Sequence, residues 1–324
     1  MQHESEKNPS ASDLRWKLRL FASADLVGST AYKASQATNK TPDWASTFRE
    51  FFRDFPLFLD GQYSQLPEKF IVPKERLEPW KFLGDEILFV VELKCCLEAL
   101  SHIHVLRSAV TNFPSYQWIK DKSPPIPLRL KAVAWLAGFP VTNTEIILRE
   151  TIDYIGPAID LGFRIAKFSE PRKLILSADL ALLILDALHD LEISSNDFRL
   201  GFSSRETLKG VISNEPYPIL WLGIPDDTFF LEEELLRTPC DPGKLINYLR
   251  KYIDGTPKLM RPFIHEDPHP KYCEIPVELA QIRDNMKSEE SYRGLEKTMT
   301  QDAPPISGPV KTLTPPEVSA EKPS

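Results

Sequence analysis

The sequence has few of the features that mark secreted, membrane-spanning or metal-stabilised proteins. Its four cysteines form no CxxC pair, which argues against the common zinc and dithiol redox frameworks. No window reaches the roughly 18 consecutive apolar residues of a membrane span. Residues 1–12 are polar and lack the apolar segment of a signal peptide. These absences together predict a reduced, cytoplasmic protein without a membrane span.

Positive charge is also scarce. The net charge is −7, whereas nucleic-acid-binding domains usually carry a basic excess, and no basic block is interleaved with aromatic residues. What the chain does have is a globular composition, with 42% hydrophobic and 10% aromatic residues over 324 positions. We therefore expect a sizeable core, in one large domain or one medium domain with extensions, and no nucleic-acid partner.

Composition divides the chain into four predicted regions. Residues 1–14 are expected to be a disordered leader, and residues 15–224 to form the main domain. Residues 225–300 are expected to be a helical and irregular C-terminal extension, with helices at 229–253 and 277–299. The proline-rich residues 301–324, which contain few apolar side chains, are expected to be a disordered tail.

Hydrophobic periodicity predicts the order β-α-β-β-α-β-α-β in the main domain. Strands are expected at residues 18–24, 128–135, 173–176 and 198–222, with a hairpin at 81–91. Helices are expected from residue 28, and at 41–58, 93–110, 156–168 and 178–191. An irregular proline-containing arm is expected between Pro56 and Trp80. The predicted fold class is an α+β sandwich, with helices on a mainly antiparallel sheet.

Two short runs are the most informative part of the chain. Residues 21–30 (FASADLVGST) and 81–90 (KFLGDEILFV) are strand-like, and each carries one aspartate, Asp25 or Asp85, near a glycine. Carboxylates on neighbouring strands can share a divalent metal, and a helix that starts after the first run offers free N–H groups to phosphate. The combination predicts chemistry on a nucleoside triphosphate. The structural alternative makes Asp25 a helix N-cap and Asp85 a turn residue.

Taken together, these runs resemble the class III nucleotidyl cyclases, over about residues 16–224. The family's first strand is approximately F-x-D-[IL]-V-G-[FS]-T, which residues 21–30 match except that Ser23 and Ala24 precede Asp25. The family's hairpin, K-x-x-G-D-x-[LV]-[ML], is similar to residues 81–88. The resemblance implies a ferredoxin-like α+β sandwich that converts a nucleoside triphosphate to a 3′,5′-cyclic nucleotide and pyrophosphate.

The resemblance also implies a metal site and a phosphate site. Asp25 and Asp85 would bridge two Mn²⁺ or Mg²⁺ ions, with the Leu26 carbonyl as an extra ligand. Two such ions can act on the attacking 3′-hydroxyl and on the triphosphate. The β- and γ-phosphates would be held by the backbone amides of Val27, Gly28, Ser29 and Thr30.

A third run, residues 153–166 (DYIGPAIDLGFRIA), resembles the family's D-x-x-G-x-x-V-N-x-A-x-R helix. Arg164 matches the arginine that stabilises charge on the α-phosphate. Asp160 stands where the family has a ribose-orienting asparagine, and an aspartate can accept but not donate a hydrogen bond to ribose. Alternatively, Arg164 forms a surface ion pair with Asp160. Lys209 resembles the lysine that reaches the terminal phosphates, although lone Lys-Gly pairs are common. Lys131 stands near the position where many family members carry a phosphate-binding arginine, and it could equally be a solvated strand residue.

The base is predicted from two further positions. Lys81 and Asp153 stand where adenylate-forming members read adenine, which favours ATP. The helix with Asp160, the enlarged arm and the short C-terminal extension instead resemble the pyrimidine cyclases of the bacterial antiphage system Pycsar. Lysine could donate to a uracil carbonyl and aspartate accept the uracil N3–H, whereas cytosine would need another arrangement. We expect UTP first, ATP second and CTP third.

The resemblance implies a homodimer with two composite sites. Asp25 and Asp85 would come from one protomer, and the other would supply Lys81, Asp153, Asp160, Arg164 and Lys209. The product, cyclic UMP, would be a second messenger in antiphage defence, read by a separate effector protein. A catalytically silent nucleotide-binding module remains the alternative. The cluster at residues 265–269 (HEDPH) is expected to be a solvated loop.

Overall fold

The computed structural model describes residues 16–36, 44–120, 129–140, 142–149, 151–194, 198–224, 241–256, 259–264, 267, 271–277, 279–281 and 284–285. The described residues up to Ala280 belong to one compact unit. The predicted leader and tail, residues 225–240 of the extension and most of the predicted helix at 277–299 lie outside the described residues.

A seven-stranded sheet forms the centre of the described part, and a two-stranded hairpin is separate from it. The nine described strands are β1 (Lys17–Val27), β2 (Glu78–Leu83), β3 (Glu86–Glu92), β4 (Arg129–Phe139), β5 (Thr144–Leu148), β6 (Thr151–Ile155), β7 (Lys173–Leu176), β8 (Leu200–Thr207) and β9 (Pro216–Gly223). The sheet has the order β2-β3-β1-β4-β7-β9-β8, while β5 and β6 form a separate hairpin. Every pairing is antiparallel except that of β4 with β7.

The helices are α1 (Ser29–Gln36), α2 (Trp44–Gln62), α3 (Cys96–Lys120), α4 (Pro157–Ala166), α5 (Ala178–Asp190) and α6 (Pro242–Gly255). Short turns of 3₁₀ type lie at Tyr63–Gln65 and Ile212–Asn214. None of the helices within the described ranges combines the length and apolar character needed to cross a membrane.

Helices cover both faces of the sheet because its central strands are apolar on both. On one face Phe21 of β1 stacks on Trp135 of β4 and meets Tyr154 of β6 edge-on. Gly162 lets α4 approach this face closely, since a Cβ there would lie 2.2 Å from the Trp135 ring. On the other face Phe89 of β3 packs against Phe55 of α2. The predicted α+β class, with a mainly antiparallel sheet and helices, is confirmed.

Three elements differ from the sequence prediction. Helix α2 continues through Pro56 to Gln62, because Phe55 and Leu59, on either side of the proline, are fully buried and hold the helix against the sheet. Helix α3 likewise runs past Val110 and through Pro114. The β5–β6 hairpin was not anticipated, since its strands are short and leave side chains such as Ile147 exposed, so they lack a clear apolar alternation.

The extension packs on the main domain through buried polar contacts. Asp267 is 4% exposed, and its carboxylate accepts a hydrogen bond of 2.7 Å from the backbone amide of Cys96, the first residue of α3. The expectation of a solvated loop is therefore wrong at Asp267, because that carboxylate satisfies a helix N-terminus. The neighbouring residues 265, 266 and 269 lie outside the described residues.

Asp186 of α5 is the other anchor of the extension. This carboxylate is 2% exposed and accepts from Arg250 of α6 at 2.7 Å and from the Tyr272 hydroxyl at 2.6 Å. We expect Asp186→Ala to lower the unfolding free energy by about 2 kcal/mol, because it removes the buried carboxylate that accepts hydrogen bonds from Arg250 and Tyr272. The measurement is urea unfolding of the full chain. The matched control is Asp254→Ala, which breaks an exposed pair with Arg261 and should cost less than about 1 kcal/mol.

A buried histidine gives the fold a pH dependence. His102 of α3 is fully buried, its Nδ1 lies 2.6 Å from the Tyr63 hydroxyl, and burial lowers the pKa of His102 to about 3. In the unfolded chain this histidine therefore becomes protonated near pH 6.5, whereas in the folded chain it stays neutral until the pH is much lower. As pH falls below about 6.5, this residue should reduce the unfolding free energy by up to about 1.4 kcal/mol per pH unit.

The check is the pH dependence of the unfolding free energy between pH 7 and pH 4.5, for wild type and two variants. His102→Gln should flatten the slope, whereas His189→Gln, at an exposed position on α5, should leave it unchanged. An equal slope in all three proteins would contradict the assignment.

Candidate active site

Asp25 lies near the end of β1, which is between β3 and β4 in the sheet. The register places Glu86 of β3 directly opposite it on one side and Lys131 of β4 directly opposite on the other. Directly opposed residues of neighbouring strands share one face of a sheet. The three side chains therefore form a row across the sheet, with Asp25 in the middle.

The Asp25 carboxylate is only partly satisfied. Its Oδ2 lies 2.8 Å from the Lys131 ammonium, whereas its Oδ1 is buried and has no hydrogen-bond partner within the described part of the chain. Burial raises the pKa of Asp25, and the nearby charge of Asp85 adds to this, although Lys131 acts in the opposite direction. A buried oxygen without a partner is a costly feature in a fold, and it is suited to receiving a cation.

Asp85 reaches the same place from the turn between β2 and β3. Gly84 takes a left-handed conformation there, with φ +64°, which suits a tight hairpin. The Asp85 carbonyl lies 3.4 Å from the Leu26 amide, and the Asp85 carboxylate accepts a hydrogen bond from the Ser29 hydroxyl. The hairpin turn, the end of β1 and the start of α1 therefore converge. Because Asp25 lies inside β1 and α1 begins only at Ser29, Asp25 is not an N-cap.

The first turn of α1 presents backbone donors beside these carboxylates. Val27 ends β1, Gly28 turns the chain with φ +82°, and Ser29 and Thr30 open the helix. The first amides of a helix have no acceptor within it, so they are available to an anion. A Cβ on Gly28 would meet nothing within 4 Å, which shows that the space around this turn is open.

Glu86 was missed by the sequence analysis. Burial raises the pKa of its carboxyl group, while a hydrogen bond with Ser23 partly offsets the effect and the charge of Asp25 adds to it. Glu86 immediately follows Asp85, but only the strand register shows that it lies beside Asp25. Antiparallel pairing of residues 21–30 with residues 81–90 was the signal that could have placed Glu86 opposite Asp25.

The residues present fit a divalent metal ion if the carboxylates and a bound substrate coordinate it together. The described residues contain no group of three or more His, Cys, Asp or Glu side chains that could hold a metal ion alone. Mg²⁺, however, is commonly held by one or two carboxylates together with substrate phosphates. Asp25 and Asp85, next to the amides of α1, supply that donor set.

A second group of predicted residues meets at the β2–β6 contact. The Lys81 ammonium lies 2.6 Å from Asp153 Oδ1 and 4.1 Å from the centre of the Trp80 ring. Burial alone would raise the pKa of Asp153, but hydrogen bonds from Lys81 and the Tyr154 amide lower it below its usual range. The two predicted base-reading residues are therefore neighbours, one a donor and the other an ionised acceptor.

The remaining predicted residues lie on exposed surfaces. Asp160 and Arg164 are exposed on α4, and no ion pair joins them in the described structure, so the alternative of a surface pair is not supported. Lys209 is exposed in the turn after β8. Across the described residues, no hydrogen bond or ion pair connects α4 or Lys209 to Asp25 or Asp85. Among the described residues, ion pairs therefore join the predicted site residues at two places, Lys131 with Asp25 and Lys81 with Asp153, and neither includes Asp160, Arg164 or Lys209.

Comparison with solved structures gives similarities to cyclase domains. The adenylyl cyclase CyaB from P. aeruginosa matches with a TM-score of 0.46 and 14% identity, over 64% of this chain and 94% of that one. The guanylate cyclase domain of RhGC from Catenaria anguillulae matches with a TM-score of 0.44 and 11% identity, over 65% and 100%. The guanylyl cyclase Cya2 gives 0.43 and 15%, over 65% and 95%. No protein-family model matches the chain, and no curated protein does.

Proposed function

We propose that this protein is a metal-dependent nucleotidyl cyclase, which converts a nucleoside triphosphate to a 3′,5′-cyclic nucleotide and pyrophosphate. The observation that carries the proposal is the Asp25 carboxylate, whose buried Oδ1 has no partner among the described residues. It lies beside Asp85 and next to the first amides of α1. Carboxylates and helix amides in one place suit a cation and a polyphosphate bound together.

In this mechanism each group has one task. Asp25 and Asp85, with the Leu26 carbonyl, would hold Mn²⁺ or Mg²⁺, two ions per site, which lower the pKa of the ribose 3′-hydroxyl and neutralise the triphosphate. The amides at residues 27–30 would bind the β- and γ-phosphates. Arg164 would stabilise charge on the α-phosphate, as its planar donor fork allows. Asp160 would accept a hydrogen bond from the ribose.

The proposed site is composite, because Arg164 and the carboxylates do not meet within one chain. We propose a homodimer in which a second copy brings α4 to Asp25 and Asp85, together with Lys81, Asp153 and Lys209. Exposed apolar side chains on β2, β6 and α4 support an interface there. They are Phe82 at 52% exposure, Leu83 at 45%, Ile152 at 44%, Ile155 at 50% and Phe163 at 36%. Apolar patches of this kind are typical of interaction surfaces.

The proposed base is uracil. The Lys81 ammonium can donate to a uracil carbonyl, and the ionised Asp153 can accept the N3–H. The same pair supports the second candidate, adenine, whose amino group would donate to Asp153 and whose ring nitrogen would accept from Lys81. The resemblance of α4 to the Pycsar enzymes favours UTP, with cyclic UMP as a messenger for a separate effector in antiphage defence. Lys131, which was predicted to bind phosphate, pairs with Asp25 in the described structure, and we infer its role from that contact below.

The test is incubation of the full chain with Mn²⁺ and ATP, GTP, CTP or UTP separately, with products identified by mass spectrometry. We expect cyclic UMP from UTP and none from the Asp25→Ala variant. Cyclic AMP alone would retain the cyclase and reject uracil. The absence of a cyclic product from all four nucleotides, at concentrations where the protein is a dimer, would reject the cyclase in favour of a silent binding module.

A further inference from the structure

Lys131 occupies the position in which a cation is expected. Its ammonium lies 2.8 Å from Asp25 Oδ2, and both side chains are largely shielded from solvent, with 32% of Lys131 and 21% of Asp25 exposed. A divalent ion that uses this carboxylate must compete with the ammonium for the same oxygen. Asp25 Oδ1 therefore has no hydrogen-bond partner among the described residues, whereas Oδ2 is paired with the ammonium.

Glu86 offers the displaced ammonium another partner. It lies on the same row, on the opposite side of Asp25 from Lys131. Strands are spaced about 4.8 Å apart, so the two long side chains can approach each other across the shorter Asp25. Lys131 already interacts electrostatically with Glu86 as well as with Asp25. Two carboxylates placed side by side on one row repel each other, and a single lysine next to them can neutralise either.

We propose that Lys131 is a built-in counter-cation of the metal site, which holds the Asp25 carboxylate before a divalent ion binds and moves to Glu86 when the ion arrives. The inference deepens the proposed function and rests on it. Lys131 and Glu86 are positioning residues, because they act through Asp25. Without metal, the Lys131 ammonium compensates the charge of Asp25. With metal bound, the ion compensates Asp25 and the ammonium compensates Glu86, so the carboxylates are stabilised in both states.

The experiment measures the binding of Mn²⁺ alone, by electron paramagnetic resonance of the free ion, to the full-length protein and its variants. Lys131→Met should tighten Mn²⁺ binding by about tenfold, because the competing charge is gone. Lys131→Arg, which keeps the charge, should stay within about threefold of wild type. Thermal unfolding of each variant shows that it is folded, and Lys131→Gln replaces Lys131→Met if that variant is not.

A double-mutant cycle tests the role of Glu86. Glu86→Gln should weaken Mn²⁺ binding by about tenfold in the wild-type background but by less than about threefold in the Lys131→Met background, because no ammonium then needs a second partner. Equal weakening in both backgrounds would show that Glu86 acts only as a nearby charge and would overturn its assignment. Unchanged or weaker binding by Lys131→Met would overturn the role of Lys131.

The same titration separates this inference from the proposed function. If Asp25→Ala and wild type bind Mn²⁺ equally, both without and with nucleoside triphosphate, the metal site itself is wrong, and the proposed function fails with it. If binding depends on Asp25 but not on Lys131, only the counter-cation is wrong.

Discussion

If Asp25 holds divalent metal as proposed, Asp25→Asn should reduce the rate of cyclic nucleotide formation by at least about a thousandfold, because a neutral amide cannot replace a metal-binding carboxylate. The substitution keeps the size of the side chain, and Asn can still accept from Lys131, so the row across the sheet should persist. The measurement is kcat with saturating Mn²⁺ and nucleotide. Mn²⁺ binding in the absence of nucleotide should weaken in parallel, since the same oxygen atoms are involved.

The matched control is Asp60→Asn, the same chemical change at an exposed aspartate that pairs with Arg76 and is not one of the predicted site residues. Its activity should stay within about twofold of wild type, as for most exposed ion pairs. If Asp25→Asn retained more than a tenth of wild-type activity, the carboxylate would not be a metal ligand, and Asp25 would be a structural partner of Lys131 only.

The sequence predicted much of this site because its local patterns are strong. The acidic hairpin at Gly84 and Asp85 and the small residues that open α1 each follow from the chemistry of a few adjacent positions. The meeting of Asp25 with Asp85 followed from placing both runs on neighbouring strands. These are short-range signals, and the structure contains each of the corresponding elements.

What the sequence did not predict depends on register and on burial. The position of Glu86 beside Asp25 requires the pairing of β1 with β3, residue by residue. The pairing of Lys131 with Asp25 requires the register of β4 as well, and nothing in the local sequence fixes it. Asp267 was expected in solvent because prolines surround it, yet the N-terminus of α3 buries it. Long-range contacts decided each of these cases.

The proposed composite site leads to the second large prediction, which is that two inactive variants should restore activity to each other. Co-expression of Asp25→Ala and Arg164→Ala protomers with different affinity tags gives mixed dimers in which one site carries both substitutions and the other carries none. With random pairing, half of the dimers are mixed, so activity should recover to about a quarter of wild type. Each variant alone should be inactive within detection.

The control mixture pairs Asp25→Ala with Asp85→Ala. Both substitutions lie in the metal half of the site, so every site in every dimer keeps one of them, and no activity should return. Recovery in the first mixture alone means that Arg164 acts across the interface on the carboxylates of the other chain. If neither mixture recovers although tagged mixed dimers are purified, Arg164 and Asp25 serve the same half of the site. The arrangement of α4 across the interface would then be wrong.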